Sequence, residues 1–395
     1  MNTILYLLLT LLLLSIMVVI HELGHFLFAK FFHVTVLEFS IGMGPALFTT
    51  KKKKAKTAKT DKGTSNIEIA NTFHSGDGDI EPQLNTEAIE DGTESNKTAF
   101  SIRALPIGGY VSMAGEDDAS DDANAFCNKP VWQRFIITIA GAVMNILLGI
   151  LCMCILVGIE TKEYSQNGVG YLVSNKIYGF QENSISDKCE SPLMAGDVVI
   201  KVDGVRVHTG NELVYEIMNS GFEPIDLVVL RDGKEVLLED VKFPSEENSG
   251  VIFGNYDFIM DREEANFGTI VKHSVFRSIS TVKVITDSIG DLIGGRYGAD
   301  AISGPIGMAG AVGEATKTGF RSILYLFTLI TMNLGVFNLL PIPALDGGRL
   351  VFLIIEGIRR KPLKKEIEQT INTVGLMILM ALMLLITVKD IFNLF

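Results

Sequence analysis

Two histidines and a glutamate lie inside the first long apolar segment of this chain, and they constrain its fold more than any other feature. They are His21, Glu22 and His25, and residues 4–32 around them are otherwise almost entirely apolar. Ionisable groups at membrane depth are costly unless they are paired or bind a metal. We therefore expect a membrane-spanning helix that carries a functional site.

The spacing of these residues suits one metal ion. Positions i and i+4 lie on the same face of a helix, so His21 and His25 can bind one zinc ion, with Glu22 beside it as a general base. The H-E-x-x-H pattern alone also occurs by chance in soluble helices. Its position within an apolar segment is what favours a metal site over that alternative.

Further apolar blocks predict further spans. Hydrophobic residues make up 48% of the 395 residues, and they are concentrated at 1–32, at 131–159 and in two blocks within 321–395. The first block is too long for a cleaved signal peptide and lacks a leading positive charge. The four cysteines have neither metal-binding spacing nor the pattern of a disulfide framework.

The segments that follow the first two spans differ in composition. Residues 33–130 include a polar insertion at 51–97 that cannot bury enough apolar area to offset its ordering entropy, so we expect it to be flexible. Apolar runs on either side of residues 106–109 predict a β-hairpin. Residues 160–265 read as short strands and form a compact β-domain, with Asp-Gly turns at two places. Residues 266–320 are expected to form a surface helix and a connection.

Charge predicts the orientation in the membrane. Lysines and arginines cluster between the first two spans and again between the last two, so these segments should be cytoplasmic. Residues 160–265 contain 21 acidic and 9 basic side chains, a net charge of −12, and should lie outside with both termini. The zinc site is then expected nearer the cytoplasmic face. The acidic balance argues against nucleic-acid binding.

A zinc site needs a third protein ligand, and Asp346 is the best candidate. His33 is eight residues after His25, and a helical rise of about 12 Å is too great for both to bind one ion. Asp346 follows a span that is broken by Pro341 and Pro343, and broken backbone at membrane depth must line protein or a wet cavity. The alternative role for Asp346 is a helix N-cap before Gly347.

These motifs together resemble the site-2 protease family of intramembrane zinc metalloproteases, in its bacterial regulator-of-sigma protease branch. The resemblance rests on H-E-L-G-H at 21–25 and on N-L-L-P-I-P-A-L-D-G-G at 338–348. It also includes P-I-G-G-Y-V at 106–111, G-A-V-M-N at 141–145 and S-G-P at 303–305. The insertion at 51–97 and the room for one PDZ-like domain, where well-known members carry two, depart from the family pattern.

The resemblance implies an α-helical polytopic membrane protein with about four transmembrane helices, a re-entrant β-hairpin and an extracytoplasmic, mainly-β PDZ-like domain. It implies Zn²⁺ held by His21, His25 and Asp346, with Glu22 as the catalytic base. It further implies substrate or transition-state contacts from the following residues: Asn338, Gly108, Gly109 and Tyr110. The hairpin would offer its edge to an unwound substrate strand.

The implied activity is hydrolysis of peptide bonds within or near the spans of membrane proteins in the bacterial cell membrane. The expected partners are the lipid bilayer and a pre-trimmed single-span substrate, such as an anti-sigma factor or a signal-peptide remnant. Two alternatives are a non-catalytic membrane scaffold that presents its PDZ-like domain and a metal-dependent transporter. The intact zinc and base residues argue against the first, and the absence of internal repeats argues against the second.

Overall fold

A computed structural model describes residues 2–50, 98–116, 120–163, 165, 168–220, 222–248, 251–295 and 302–392. The insertion predicted at 51–97 lies outside the described residues. The described helices and strands follow the chain in this order: α1 (Asn2–Phe31), β1 (Val36–Thr49), β2 (Ala99–Met113), a short 3₁₀ helix (Phe126–Asn128), α2 (Val131–Glu163), β3 (Tyr171–Phe180), β4 (Val198–Val202), β5 (Val205–Arg206), α3 (Gly210–Ser220), β6 (Ile225–Arg231), β7 (Lys234–Val241), β8 (Ser245–Asn248), β9 (Val251–Gly254), β10 (Phe258–Glu264), α4 (Phe267–Gly294), α5 (Pro305–Thr318), α6 (Phe320–Leu339), α7 (Asp346–Arg359) and α8 (Lys365–Phe392).

In the part of the chain that the structure describes, four helices are long and apolar enough to cross a membrane. They are the segments Ile4–Phe31, Val131–Lys162, Phe320–Leu339 and Lys365–Phe392. Helix α2 packs against both α1 and α6. The protein is therefore a polytopic membrane protein in which α2 is the central helix.

Strands β1 and β2 form a bent two-stranded sheet beside α1. Residues 36–41 of β1 pair with residues 109–113 on one side, while several of the same residues also pair with 99–102. Residues 99–113 thus form one long strand whose partner is β1, and the turn predicted around residues 106–109 is a bend within that strand. Gly108 has a φ of +69°, which glycine adopts without strain and which changes the strand direction.

The second, larger sheet belongs to the β-domain predicted at residues 160–265. Its strand order is β10-β3-β4-β6-β7, with β5 paired to β4, and the pairs are antiparallel. Asp203 and Asp232 have positive φ values of 45° and 50° and precede glycines, so both predicted Asp-Gly turns are confirmed. Helix α3 covers the sheet, and its Leu213 and Ile217 are fully buried. Each such side chain contributes about 1.5–3 kcal/mol.

Helix α4 follows this domain and packs against α2, α3 and α6. Its buried face is polar: His273, Ser274 and Ser278 are all almost fully buried. The carboxylate of Glu160, near the end of α2, accepts hydrogen bonds from Arg277 of α4 at 2.7 Å and from Arg321 of α6 at 3.0 Å. Charged groups thus join the three helices at the point where the β-domain meets the spans.

The chain breaks between α6 and α7, as the two prolines predict. Helix α6 ends at Leu339 and α7 begins at Asp346. Helix α8 then returns with most of its surface exposed. Near its end, Asp390 accepts hydrogen bonds from the backbone amides of Gly304 and Gly307, both at 2.9 Å. This carboxylate ties the last helix to the first turn of α5.

Candidate metal centre and active site

Three potential metal ligands meet where α1 and α7 approach each other. The Nε2 atoms of His21 and His25 lie 3.1 Å apart. Oδ2 of Asp346 lies 3.0 Å from Nε2 of His21 and 3.4 Å from Nε2 of His25. The structure therefore brings together residues that are more than three hundred positions apart, as the zinc hypothesis requires.

These separations fit a zinc ion. Ligands about 2.0–2.1 Å from a tetrahedral ion lie roughly 3.3 Å from one another. Oδ2 of Asp346 is buried and makes no regular hydrogen bond with the described residues; the two imidazole nitrogens lie next to it. Helix α7 starts at Asp346, and Leu345 occupies the N-cap position. The N-cap alternative for Asp346 is therefore wrong, and its carboxylate is directed at the histidines.

The other nitrogen of each imidazole is held by α2 and α6. Nδ1 of His25 lies 2.8 Å from the carbonyl oxygen of Ile137, so an Nδ1–H there donates to that oxygen and leaves Nε2 free to bind metal. Nδ1 of His21 lies 3.4 Å from the amide group of Asn145 and 3.5 Å from that of Asn338. Asn145 is fully buried, and its Oδ1 has no hydrogen-bond partner among the residues that the structure describes. Rotation of this amide by half a turn would place Oδ1 against His21 Nδ1–H.

Gly141 of α2 makes room for the ligands. A Cβ atom at this position would lie 2.8 Å from both Cε1 and Nε2 of His21, and closer still to Nε2 of His25. Real Cβ atoms do not approach other atoms so closely. Only glycine at this point of α2 leaves the imidazole nitrogens, and the space between them, unobstructed.

Glu22 lies beside the ligands and is connected to strand β2. The backbone N–H of Val111 donates a hydrogen bond to Oε2 of Glu22 at 3.0 Å. Val111 belongs to the part of β2 that pairs with Phe39 of β1, and its amide is directed away from that partner strand. Among the described residues, no other strand pairs with this edge of β2. The edge faces the carboxylate, so an extended peptide could lie there next to a base.

The remaining predicted site residues lie at this edge or behind it. Gly109 approaches the Ser40 carbonyl of β1 so closely that a Cβ atom would lie 2.6 Å from that oxygen. Tyr110 contributes to the wall of the active-site cavity, but its hydroxyl donates to Oε2 of Glu38 at 2.8 Å. Asn338 faces the Nδ1 side of His21, the side opposite to the metal-facing nitrogen.

Two adjoining cavities lead to the site. The first, of about 200 Å³, is lined by the three ligands, Glu22 and β2. The second, of about 380 Å³, is lined by polar residues of α7 and α8. Arg349 and Glu116 line both cavities, and Nη1 of Arg349 donates to Oε1 of Glu116 at 2.6 Å. Such a polar route can bring water to a site among apolar helices.

Comparison with known proteins decides the family. The family model described as Peptidase family M50 matches residues 9–58 and 89–382. The chain belongs to peptidase family M50. A Fusobacterium nucleatum protein, whose name provisionally describes it as a zinc metalloprotease, is 31% identical over 391 residues, covering 97% of each chain. The regulator of sigma-W protease RasP of Bacillus subtilis is 27% identical over 423 residues, covering 96% of each chain.

Membership of the M50 family means that this chain is an intramembrane zinc metalloprotease of the site-2 type, with Zn²⁺ as its cofactor. The predicted enzyme class, family and cofactor are confirmed. The sequence prediction of the site did not include Asn145 and Gly141. An asparagine within an apolar span predicts that Asn145 faces another helix or the active-site cavity, and its amide lies against Nδ1 of His21. Nothing in the sequence related Gly141 to the two histidines.

Proposed function

We propose that this M50 protease cleaves single-span membrane proteins that another protease has already trimmed, next to the His21, His25 and Asp346 cluster. The observation that carries the proposal is the approach of three ligand atoms to within 3.4 Å of one another, with Glu22 beside them. When zinc is bound there, it supplies Lewis-acid polarisation of the scissile carbonyl and a lowered pKa for water.

The chain's own residues would perform the remaining steps. Glu22 takes a proton from the attacking water and passes it to the leaving amine, and the Val111 amide keeps one of its oxygens oriented. Ile137 and Asn145 hold the two imidazoles in the tautomers that present Nε2. Asn338 serves either to orient His21 or to bind the developing charge, and its place on the Nδ1 side supports the first role.

The substrate would be cleaved in an extended form. A helical peptide bond is shielded by its neighbours, and main-chain pairing with the free edge of β2 would keep the unwound segment extended. Gly108 and Gly109 leave this edge without bulky side chains, and Tyr110 forms part of the cavity wall. The sheet of β1 and β2 would then form the re-entrant element of the family.

The β-domain at 160–265 would select substrates by size or by a terminal peptide, as a PDZ-like domain outside the cytoplasm. Its acidity and the basic segments on the other side of the spans support this orientation, with the active site nearer the cytoplasmic face. A relative named as a regulator of a sigma factor supports an anti-sigma factor as the substrate class. Signal-peptide remnants have the same single-span form.

The deciding experiment uses the full chain in vesicles with a single-span reporter. Glu22→Gln should retain zinc and lose cleavage, whereas Glu235→Gln, an exposed carboxylate on β7, should retain both. Zinc binding without dependence of cleavage on Glu22 would refute the proposed base. A second reporter that keeps a bulky outer domain should resist cleavage, and equal cleavage of both reporters would refute the size filter.

A further inference from the structure

An open groove lies between the first turn of α2 and the last turns of α7, and it shares no lining residue with the catalytic cavity. It has a volume of about 870 Å³, and its walls are mostly apolar. Val131, Trp132 and Phe135 form one wall, and Leu353, Ile354 and Ile358 form the other. The side chains of Ile354 and Ile358 are 50% and 79% exposed, so no side chain of the described residues fills the groove.

The groove lies at the level of the lipid headgroups. Trp132 packs edge-on against Phe32 at the end of α1, with 5.3 Å between ring centroids. Aromatic side chains at the ends of apolar helices mark the membrane–water boundary. The walls therefore reach from that boundary towards the hydrocarbon, along the α2 span.

One end of the groove is basic. Glu356 lines the groove, but its carboxylate is neutralised by Arg134, whose Nη1 and Nη2 lie 3.1 and 2.5 Å from its oxygens. Arg360 lines the same end with an exposed side chain. Arg359 and Lys361 flank it, also exposed, and residues 357–365 contain five basic and no acidic side chains. The end of the groove at the boundary thus carries an excess of positive charge.

We propose that this groove is a binding site for an anionic phospholipid. One acyl chain lies between α2 and α7, and the phosphate of the headgroup is bound by the guanidinium of Arg360. Charge complementarity identifies the occupant: a basic rim on an apolar groove at headgroup level matches an anionic lipid, because the rim binds the phosphate while the walls bind the chain. A zwitterionic lipid has the acyl chain that fits the apolar walls, but it lacks the net negative charge that matches the basic rim.

Trp132 makes this testable, because it is the single tryptophan of the chain and it lines the groove. Bromine on an acyl chain quenches tryptophan emission only on close approach, so the signal reports lipid that lies against Trp132, and the groove variants below assign it to the groove. The full-length protein is reconstituted in phosphatidylcholine vesicles that contain increasing fractions of brominated phosphatidylglycerol or of brominated phosphatidylcholine. Phosphatidylglycerol should bind about fivefold more tightly, the preference that one basic residue near the surface provides.

Two variants distinguish the groove from general electrostatics. Arg360→Gln should bring the preference close to one, whereas Lys234→Gln, which removes the same charge from the exposed first residue of β7, should leave it unchanged. Gly357→Leu should weaken quenching by both lipids, because a side chain there would enter the groove beside Val131, the nearest atom being 3.8 Å from the added Cβ.

Three results would overturn the proposal. Equal quenching by the two brominated lipids would remove the headgroup preference. An equal loss of preference in Lys234→Gln and Arg360→Gln would mean that the preference for phosphatidylglycerol comes from the net charge of the protein and not from Arg360. Absence of quenching by either lipid would mean that protein, whether a second copy or another chain, covers the groove. The comparison of the two lipids uses the unaltered protein, so this test does not depend on whether any variant folds.

Discussion

Gly141→Ala should weaken zinc binding, because it places one methyl group among the ligands. The added Cβ would lie 2.8 Å from Nε2 of His21 and closer to Nε2 of His25, so at least one imidazole must move. Overpacking of this kind costs about 1–3 kcal/mol, which corresponds to roughly 5- to 150-fold in zinc affinity at about 1.4 kcal/mol per tenfold. When free zinc is buffered well below the dissociation constant of the unaltered protein, cleavage should fall by about the same factor, because it depends on the bound ion.

Gly158→Ala is the matched control for this prediction. It lies in the same helix, and in the described part of the chain no atom comes within 4 Å of its added Cβ. Since alanine is favoured over glycine in a helix by about 1 kcal/mol, this variant should fold at least as well and keep its zinc. Zinc content by elemental mass spectrometry, apparent zinc affinity by competition with a chelator, and thermal unfolding of the zinc-free proteins complete the comparison. Normal affinity and cleavage in Gly141→Ala would refute the geometry described here.

Three further perturbations test other parts of the molecule. Asn145→Ala should lower zinc affinity about 10- to 100-fold, as loss of a partner behind a ligating histidine does, measured by the same chelator competition; unchanged affinity would separate Asn145 from His21. The hydrogen bond from His273 and the charge of Lys272 outweigh the opposing effect of burial and lower the pKa of Glu263 below its ordinary 4.5. The free energy of unfolding should therefore fall as the pH drops below about 4.5, and Glu263→Gln, at a cost of about 1–3 kcal/mol, should flatten that dependence in denaturant titrations; an unaltered profile would contradict it. Removal of zinc by a chelator should abolish cleavage and zinc alone should restore it, as followed with the single-span reporter; cleavage in zinc-free protein would contradict the metal assignment.

Local patterns predicted the parts of the fold that depend on neighbours in the chain. The spans follow from apolar blocks, the break before Asp346 from two prolines, and the position of His21 beside His25 from one turn of helix. The Asp-Gly turns follow from the left-handed backbone that they require. In each case a short stretch of sequence contains the whole physical cause.

Pairings across the chain could not be predicted in this way. Strand β2 has a period typical of a strand, but nothing in residues 99–113 specifies that its partner is β1 on the other side of the insertion rather than its own second half. Gly141 and Asn145 become part of the site only because α2 crosses α1 at the histidines. The proline-broken span made Asp346 the best candidate for the third ligand but left a helix N-cap as its alternative, and the family resemblance implied the ligand role. The side of the membrane on which each loop lies stays a prediction from charge.

Because the Val111 amide donates a hydrogen bond to Glu22, the orientation of this base depends on the sheet of β1 and β2. If β2 loses its pairing with β1, the zinc ligands on α1 and α7 keep their places, while the carboxylate of Glu22 loses the hydrogen bond from the Val111 amide. The protease would then bind zinc but be inactive, because its base is not oriented. A measurement of zinc content alone could not distinguish this state from the active one. Zinc binding and the orientation of Glu22 are thus separate requirements for cleavage. This separation is useful to a protease in a membrane, where the spans of many other proteins surround it.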